Sequence, residues 1–239
     1  MISFVIPAHT EAQPIGRTLH ALVTAARAVG EPFEVIVVDD ASTDRTAAVA
    51  HEHGARVISV SHRQIAATRN SGALQASGEM FVFLDADTIV NEAVIRAAFR
   101  AIEQGASGGG CAVRFDGRLP LHGRVMAAVC VPIYRILRLA SGCFLFCTRE
   151  AFHAVGGFDE RLFAAEEGAM SRALGRHGRF VVLRESVITS GRKFRAYSAR
   201  ETYGLLARLA VGRSVSVRRR EGLDIWYGER RTDPDSIVR

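Results

Sequence analysis

Lysine is nearly missing from this chain of 239 residues. Lys193 is the only one, and arginine supplies the other basic side chains among the 31 lysines and arginines. With so many alanines, this reads as GC-rich coding bias. Cysteine is scarce too. Cys111, Cys130, Cys143 and Cys147 form no C-x-x-C pair, which argues against a zinc site and fits a reducing, cytoplasmic setting. No run approaches the roughly 18 apolar residues of a membrane span. The opening stretch ISFVIPAHTEA has no basic start, and its apolar run is too short for a signal peptide. The expectation is a cytoplasmic protein, soluble or peripheral at the inner face of a membrane. No G-x-G-x-x-G follows the first apolar run, which disfavours a dinucleotide oxidoreductase. No nucleic-acid reader motif is present, so DNA or RNA recognition would rest on charge alone and no nucleic acid is expected as a partner.

What is present suits a folded chain. Apolar residues make up 48% and charged residues 23%, close to the globular average. The net charge of +6 points to an anionic partner, such as a nucleotide or a phospholipid surface, or to solubility alone.

The first hundred residues alternate strand and helix four times. Ile2 to Ile6 reads as a buried strand stopped by Pro7, Glu34 to Val38 as a second, Val57 to Val60 as a third and Phe81 to Leu84 as a fourth. Helices are expected from Ile15 to Ala26, after Thr43, from Gln64 to Ala76, and after an Asn91 cap. This is the pattern of βαβ units on a parallel sheet. The polar clusters HTE, DDASTD and DADT each follow a strand, so they should converge at the carboxyl edge, where open α/β sheets bind ligands.

The DADT cluster carries the most chemistry. Asp85 and Asp87 lie one residue apart at a strand end. Hard divalent cations prefer oxygen ligands and commonly join carboxylates to substrate phosphates. The pair therefore predicts a site for a metal-bound diphosphate.

The second half is less legible. GASGGG, residues 105–110, reads as a glycine-rich break. Strands are expected at Cys111–Phe115, Cys143–Cys147 and Phe180–Leu183, and helices at Arg149–Val155 and Glu166–His177. Val125 to Leu139 reads as a helix interrupted by Pro132. Burial in the core is its expected fate, with contact to a membrane surface as the alternative. A basic amphipathic helix is expected from Ser198 to about Arg220, with Leu205, Leu206 and Leu209 on its apolar side, followed by a polar tail.

At this point the chain resembles the family 2 glycosyltransferases. VIPAHTEA, VVDDASTD, TRNSG through SGE, DAD, and GGFDE followed by FAAEEGAMSRAL stand in that family's order and spacing, over roughly residues 1–195. The resemblance implies a GT-A fold: an α/β, Rossmann-like, mostly parallel central sheet flanked by helices, with C-terminal acceptor-side helices. It implies a nucleotide-sugar-binding half at 1–105, an acceptor-binding and catalytic-base half of the same domain at 106–195, and the basic helix and tail at 196–239. It implies an inverting enzyme that moves a sugar from a UDP- or GDP-sugar to an acceptor hydroxyl with Mn²⁺ or Mg²⁺. The acceptor would be a sugar, a lipid-linked or a small molecule, as in polysaccharide or glycolipid synthesis.

By motif match, Pro7, Ala8 and Glu11 line the nucleotide, with Glu11 on the ribose. Asp40 meets the base, and Arg69 lies near the base or phosphates. Asp87 is the direct metal ligand, while Asp85 is shared between ribose and metal, with Ala86 between them lining the donor. Arg192 and Lys193 would close over the phosphates as a cationic lid. Two departures stand out. His9 and Thr10 replace the usual tyrosine and asparagine, and the usual glutamate–aspartate pair is Glu166–Glu167. Glu166 would then help bind substrate, and Glu167, one methylene longer than the common aspartate, would be the base.

Two other functions fit parts of the chain. A phosphatase of the haloacid-dehalogenase type also places D-x-D-T after an apolar strand, with Asp85 as nucleophile, but there the motif usually opens the fold. A non-catalytic nucleotide-sugar-binding protein would fit the departures at Thr10 and Glu167. Sugar, acceptor and oligomeric state are not encoded legibly.

Overall fold

Three strands that are apolar on both faces build the centre of this protein. They are Ile2–Ala8 (β1), Phe33–Asp40 (β2) and Met80–Leu84 (β4), and nearly all their side chains are buried. A strand of this kind needs cover on both sides, and the chain provides it by following strands with helices. The computed structural model describes residues 1–205, 207, 217–228 and 231–234.

Between and after these strands come α1 (Ala12–Val29), α2 (Thr46–Glu52), β3 (Arg56–Val60), α3 (Ile65–Leu74), β5 (Thr88–Ile89) and α4 (Glu92–Glu103). The remainder contributes β6 (Ala106–Phe115), α5 (Leu121–Ile136), β7 (Phe144–Thr148), α6 (Arg149–Ala154), α7 (Glu166–His177), β8 (Arg179–Thr189) and α8 (Arg192–Ala196). The eight strands form one sheet in the order β3-β2-β1-β4-β7-β6-β8-β5. The first four in that order are mutually parallel, β7 is antiparallel to both neighbours, and β6 and β8 are parallel.

Alternate residues of each central strand enter different cores. Phe4, Ile6, Val37 and Val82 pack under α1 and α4, against Ile15, Leu19, Val94 and Ile95. Val5, Val38, Phe81 and Phe83 pack under α3, α6 and α7, against Ala73, Phe152, Met170 and Leu174. The sheet is therefore the middle layer of three.

Several expectations need correction. β1 runs through Pro7 to Ala8. The ladder to β4 ends at Val5, so a residue without an N–H is tolerated two positions later, near the strand end. The glycine run is no break, because Gly108, Gly109 and Gly110 lie within β6. A Cβ on Gly108 would sit 2.6 Å from the Phe146 carbonyl oxygen, and one on Gly110 2.7 Å from Ala140 Cα. The run is glycine because neighbouring backbone approaches closely. β8 is also longer than expected, at 11 residues.

The segment expected in the core, Val125 to Leu139, lies mostly outside it. Helix α5 continues through Pro132, and Gly123 is its single buried residue. Gly123 sits beneath Phe194 of α8, leaving the outer apolar face uncovered among the described residues. Near the C-terminus, residues 199–205 are helical, and Leu205 packs with Ala164 and Leu223. Leu206 and Leu209, expected on the same apolar side, lie outside the described residues.

Candidate active site

The loops after β1, β2 and β3 are locked together by hydrogen bonds. The ring of His9 bonds through Nδ1 to the Asp40 carbonyl oxygen at 2.7 Å, and the Thr10 N–H donates to Ser42 Oγ at 2.9 Å. The Glu11 N–H donates to Thr46 Oγ1 at 2.8 Å. Thr10, Ala41 and Arg63, one in each loop, hold φ between 51° and 54°, and Ala165, just before α7, holds 61°. Side-chain-bearing residues seldom adopt this left-handed backbone, and such strain gathers at functional sites.

Asp40 is pinned. Its Oδ1 accepts from the Arg63 N–H at 2.8 Å, and its Oδ2 from the Gln64 N–H at 3.1 Å and the Thr68 hydroxyl at 2.8 Å. One lone pair on Oδ1 is left for a further donor. Beside it, Oδ1 of Asp39 is buried without a hydrogen-bond partner. Nothing in the sequence distinguished Asp39 from a turn former. Its position is a product of β2 extending through both aspartates.

Arg69 organises the other side of the edge. Its guanidinium is only 2% exposed and donates to Glu166 Oε1 at 2.9 Å, Asp85 Oδ1 at 3.0 Å and the Gly142 carbonyl at 2.8 Å, over the face of Phe158. Burial works against its charge, but Asp85, Glu166 and Glu167 outweigh that and raise its pKa. Arg69 and Glu166, both expected to bind substrate, are buried and paired with each other. Both are turned inward because each neutralises the other's buried charge. Ala86, expected to line the donor, is buried too. Its side chain belongs to the core under α1, and its carbonyl accepts from Thr18 Oγ1 at 2.9 Å.

Asp85 and Asp87 stay at the edge. Burial pushes the Asp85 pKa up to about 6, with Arg69 opposing and Asp87 adding to the rise. Asp87 Oδ2 lies 3.1 Å from a terminal nitrogen of Arg192, which also forms a two-pronged pair with Glu11 at 2.7 and 2.5 Å. Burial disfavours the Arg192 cation, but the bonds to Glu11 and the charge of Asp87 raise its pKa. Arg192 thus bridges the acids after β1 and β4. Lys193 is close enough for its charge to lower the Asp85 pKa, and its Nζ lies 5.9 Å from the ring centre of Trp226.

Glu167 follows Glu166 in the first turn of α7. Burial first, then the charge of Glu166, pushes its pKa up to about 8, against the pull of Arg69. Gly142 leaves room for it, since a Cβ there would lie 3.1 Å from Glu167 Oε1. Tyr134 of α5 is also near. Burial and then the Glu167 charge push its pKa to about 12.

No group of three or more His, Cys, Asp or Glu that could hold a metal occurs among the described residues. A divalent cation nevertheless fits Asp85 and Asp87. Two hard oxygen ligands repel each other there, and a cation held by one or two carboxylates completes its shell with phosphate oxygens and water. Chemically, the edge combines an acid pair that attracts cations, the basic side chains of Arg192 and Lys193, and a carboxyl group, Glu167, whose pKa is pushed up to about 8.

A model of the family described as Glycosyl transferase family 2 matches residues 3–152. Validoxylamine A glucosyltransferase from Streptomyces hygroscopicus subsp. jinggangensis is 33% identical over 129 residues, 50% of this chain and 30% of that protein. Undecaprenyl-phosphate 4-deoxy-4-formamido-L-arabinose transferase from Pseudomonas paraeruginosa is 35% identical over 95 residues, 36% of this chain and 28% of that protein. The matches therefore span less than a third of these relatives' own length. A solved mannosyltransferase, PcManGT from Pyrobaculum calidifontis in complex with GDP-Man and Mn²⁺, superposes with a TM-score of 0.67 at 18% identity. That superposition covers 89% of this chain and 64% of the other, and carries the fold alone.

Proposed function

This chain belongs to glycosyl transferase family 2, and from that premise we propose that it moves a sugar from a nucleoside diphosphate-sugar to an acceptor hydroxyl, with inversion. The observation that carries this reading is the coupling of Asp85 and Glu166–Glu167 through the single buried cation of Arg69. Donor and base machinery thereby share one electrostatic unit.

Pro7, Ala8 and Glu11 line the nucleotide, and the remaining lone pair of pinned Asp40 accepts from its base. Asp87, assisted by Asp85, would hold Mn²⁺ or Mg²⁺. Such a cation supplies charge stabilisation to the departing diphosphate. Arg192 leaves Glu11 for the phosphates when the donor binds, and Lys193 joins it, so the two residues cover the donor. Glu167 removes the acceptor's proton as the acceptor oxygen bonds to the anomeric carbon and the carbon–oxygen bond to the diphosphate breaks. The electron pair of that bond leaves with the diphosphate, so one displacement inverts the centre. Arg69 positions Asp85 and Glu166 and touches no substrate.

The GDP-Man of the mannosyltransferase and the undecaprenyl phosphate of the arabinose transferase support a nucleoside diphosphate-sugar donor and a lipid-linked acceptor as classes to test. A thermal-shift screen of nucleotide-sugars with and without Mn²⁺ tests the donor reading. At a hundred times Kd, the matching donor should stabilise the fold by about 2.7 kcal/mol, and only with metal. Silence across every nucleotide-sugar would end the transferase reading. A trapped acyl-phosphate on Asp85 would instead establish the phosphatase.

A further inference from the structure

Helix α5 is basic along one border and apolar on an adjoining face, and among the described residues that apolar face is exposed except near His122, whose ring meets Tyr203. Leu121 is 74% exposed, Ile136 79% and the adjoining Leu137 60%, while Val125, Val129 and Ile133 are exposed as well. At about 100° per residue, Leu121, Val125, Val129, Ile133 and Ile136 fall within an arc of about 120°, with Arg124 and Arg135 along one border. From Gly117 to Thr148 the sequence has four arginines, Arg118, Arg124, Arg135 and Arg138, and no aspartate or glutamate. All four are exposed, and none makes an ion pair among the described residues. Arg118 and Arg124 join Arg114, Phe115 and Pro132 around a cavity of about 830 Å³ beside α5.

We propose that α5 is a docking helix for an anionic lipid bilayer, with its aliphatic stripe in the headgroup boundary and its arginines on lipid phosphates. Two observations select a bilayer over a protein. The charge is of one sign only, complementary to anionic lipid. The exposed stripe is aliphatic, lacking the tryptophan, tyrosine and phenylalanine that enrich the centres of protein interfaces. The helix also stands beside the chemistry, since Tyr134 senses the charge of Glu167. Resting on the transferase reading in this one respect, the docking would bring a lipid-linked acceptor to the base.

Flotation of the 239-residue chain with phosphatidylcholine vesicles, with and without phosphatidylglycerol, tests the proposal without any turnover. Binding should require the anionic lipid and weaken as salt rises. The Val129→Asp/Ile133→Asp variant should lose vesicle binding by about tenfold or more while keeping its melting temperature, because both side chains are already exposed. Arg124→Glu/Arg135→Glu should bind anionic and neutral vesicles alike, and weakly. Absence of flotation at low salt overturns the proposal. So does light scattering that shows a dimer dispersed by the Asp variant with no vesicle binding, which would make the stripe a contact between copies. Transfer to a water-soluble acceptor, measured in parallel, should be untouched in the Asp variant. Loss of transfer in the unmodified protein would count against the proposed function and leave the docking result standing.

Discussion

Glu167 is held in a state that costs stability. Its pKa is pushed up to about 8 by burial and by Glu166, so the folded protein binds a proton that the unfolded chain releases near 4.5. A raised carboxylate pKa makes stability fall as pH climbs from about 4.5 to about 8. Glu167→Gln should therefore melt higher than the parent protein at pH 8.5, with the gap closing toward pH 5. The same substitution should reduce turnover by about 10²- to 10⁴-fold while leaving the donor's thermal shift in place. Surviving turnover would displace Glu167 as base. In the parent protein, kcat/KM should rise with pH to a plateau, with its acid limb centred near 8, because only the ionised carboxylate accepts a proton. Arg69→Met should be worse for the fold than for any one contact. It leaves Asp85 and Glu166 buried without a counter-charge, a loss of about 3–5 kcal/mol by chemical denaturation. Arg192→Ala acts in the other direction on the acid pair. It removes the cation resting on Asp87, so Mn²⁺ alone should stabilise the variant more than the parent, while turnover falls.

At the level of elements, the strands whose apolar runs serve both faces were readable, because burial on both sides leaves a local mark. The glycine run of β6 was not, since the same residues mark a turn or a close backbone approach, and only the positions of Phe146 and Ala140 decide between them. Gly108→Ala and Gly110→Ala should each lower the urea midpoint with little change in slope, by about 1–3 kcal/mol. Helix α5 misled for a different reason. Its composition is that of a core helix, and its exposure follows from packing mainly on β6 and α8 among the described residues, which no local pattern records. The site divides the same way. The acids after β1, β2 and β4 were legible because strand ends converge. The inward turn of Arg69 and Glu166 depends on residues 97 positions apart meeting, and that distance is invisible in spacing.

On the scale of the whole molecule, the two halves of the chain are tied at the sheet's edge. Asn70 donates to the Phe158 carbonyl and Glu160, and accepts from the Phe158 N–H, while the Gln64 amide donates to the carbonyls of Glu160 and Leu162. The excess of six positive charges is unevenly spread, with a basic skirt around α5 and acids at the catalytic edge. The chain's sole ε-amine lies 5.9 Å from the centre of its sole indole, at the mouth of the acid cluster. The protein thus carries a natural labelling point and a natural fluorophore in one place. Apart from the α-amino group, an amine-selective acylating reagent has a single target. Intact-mass spectrometry should show that target shielded once nucleotide-sugar and metal are added, while the emission of Trp226 shifts in step.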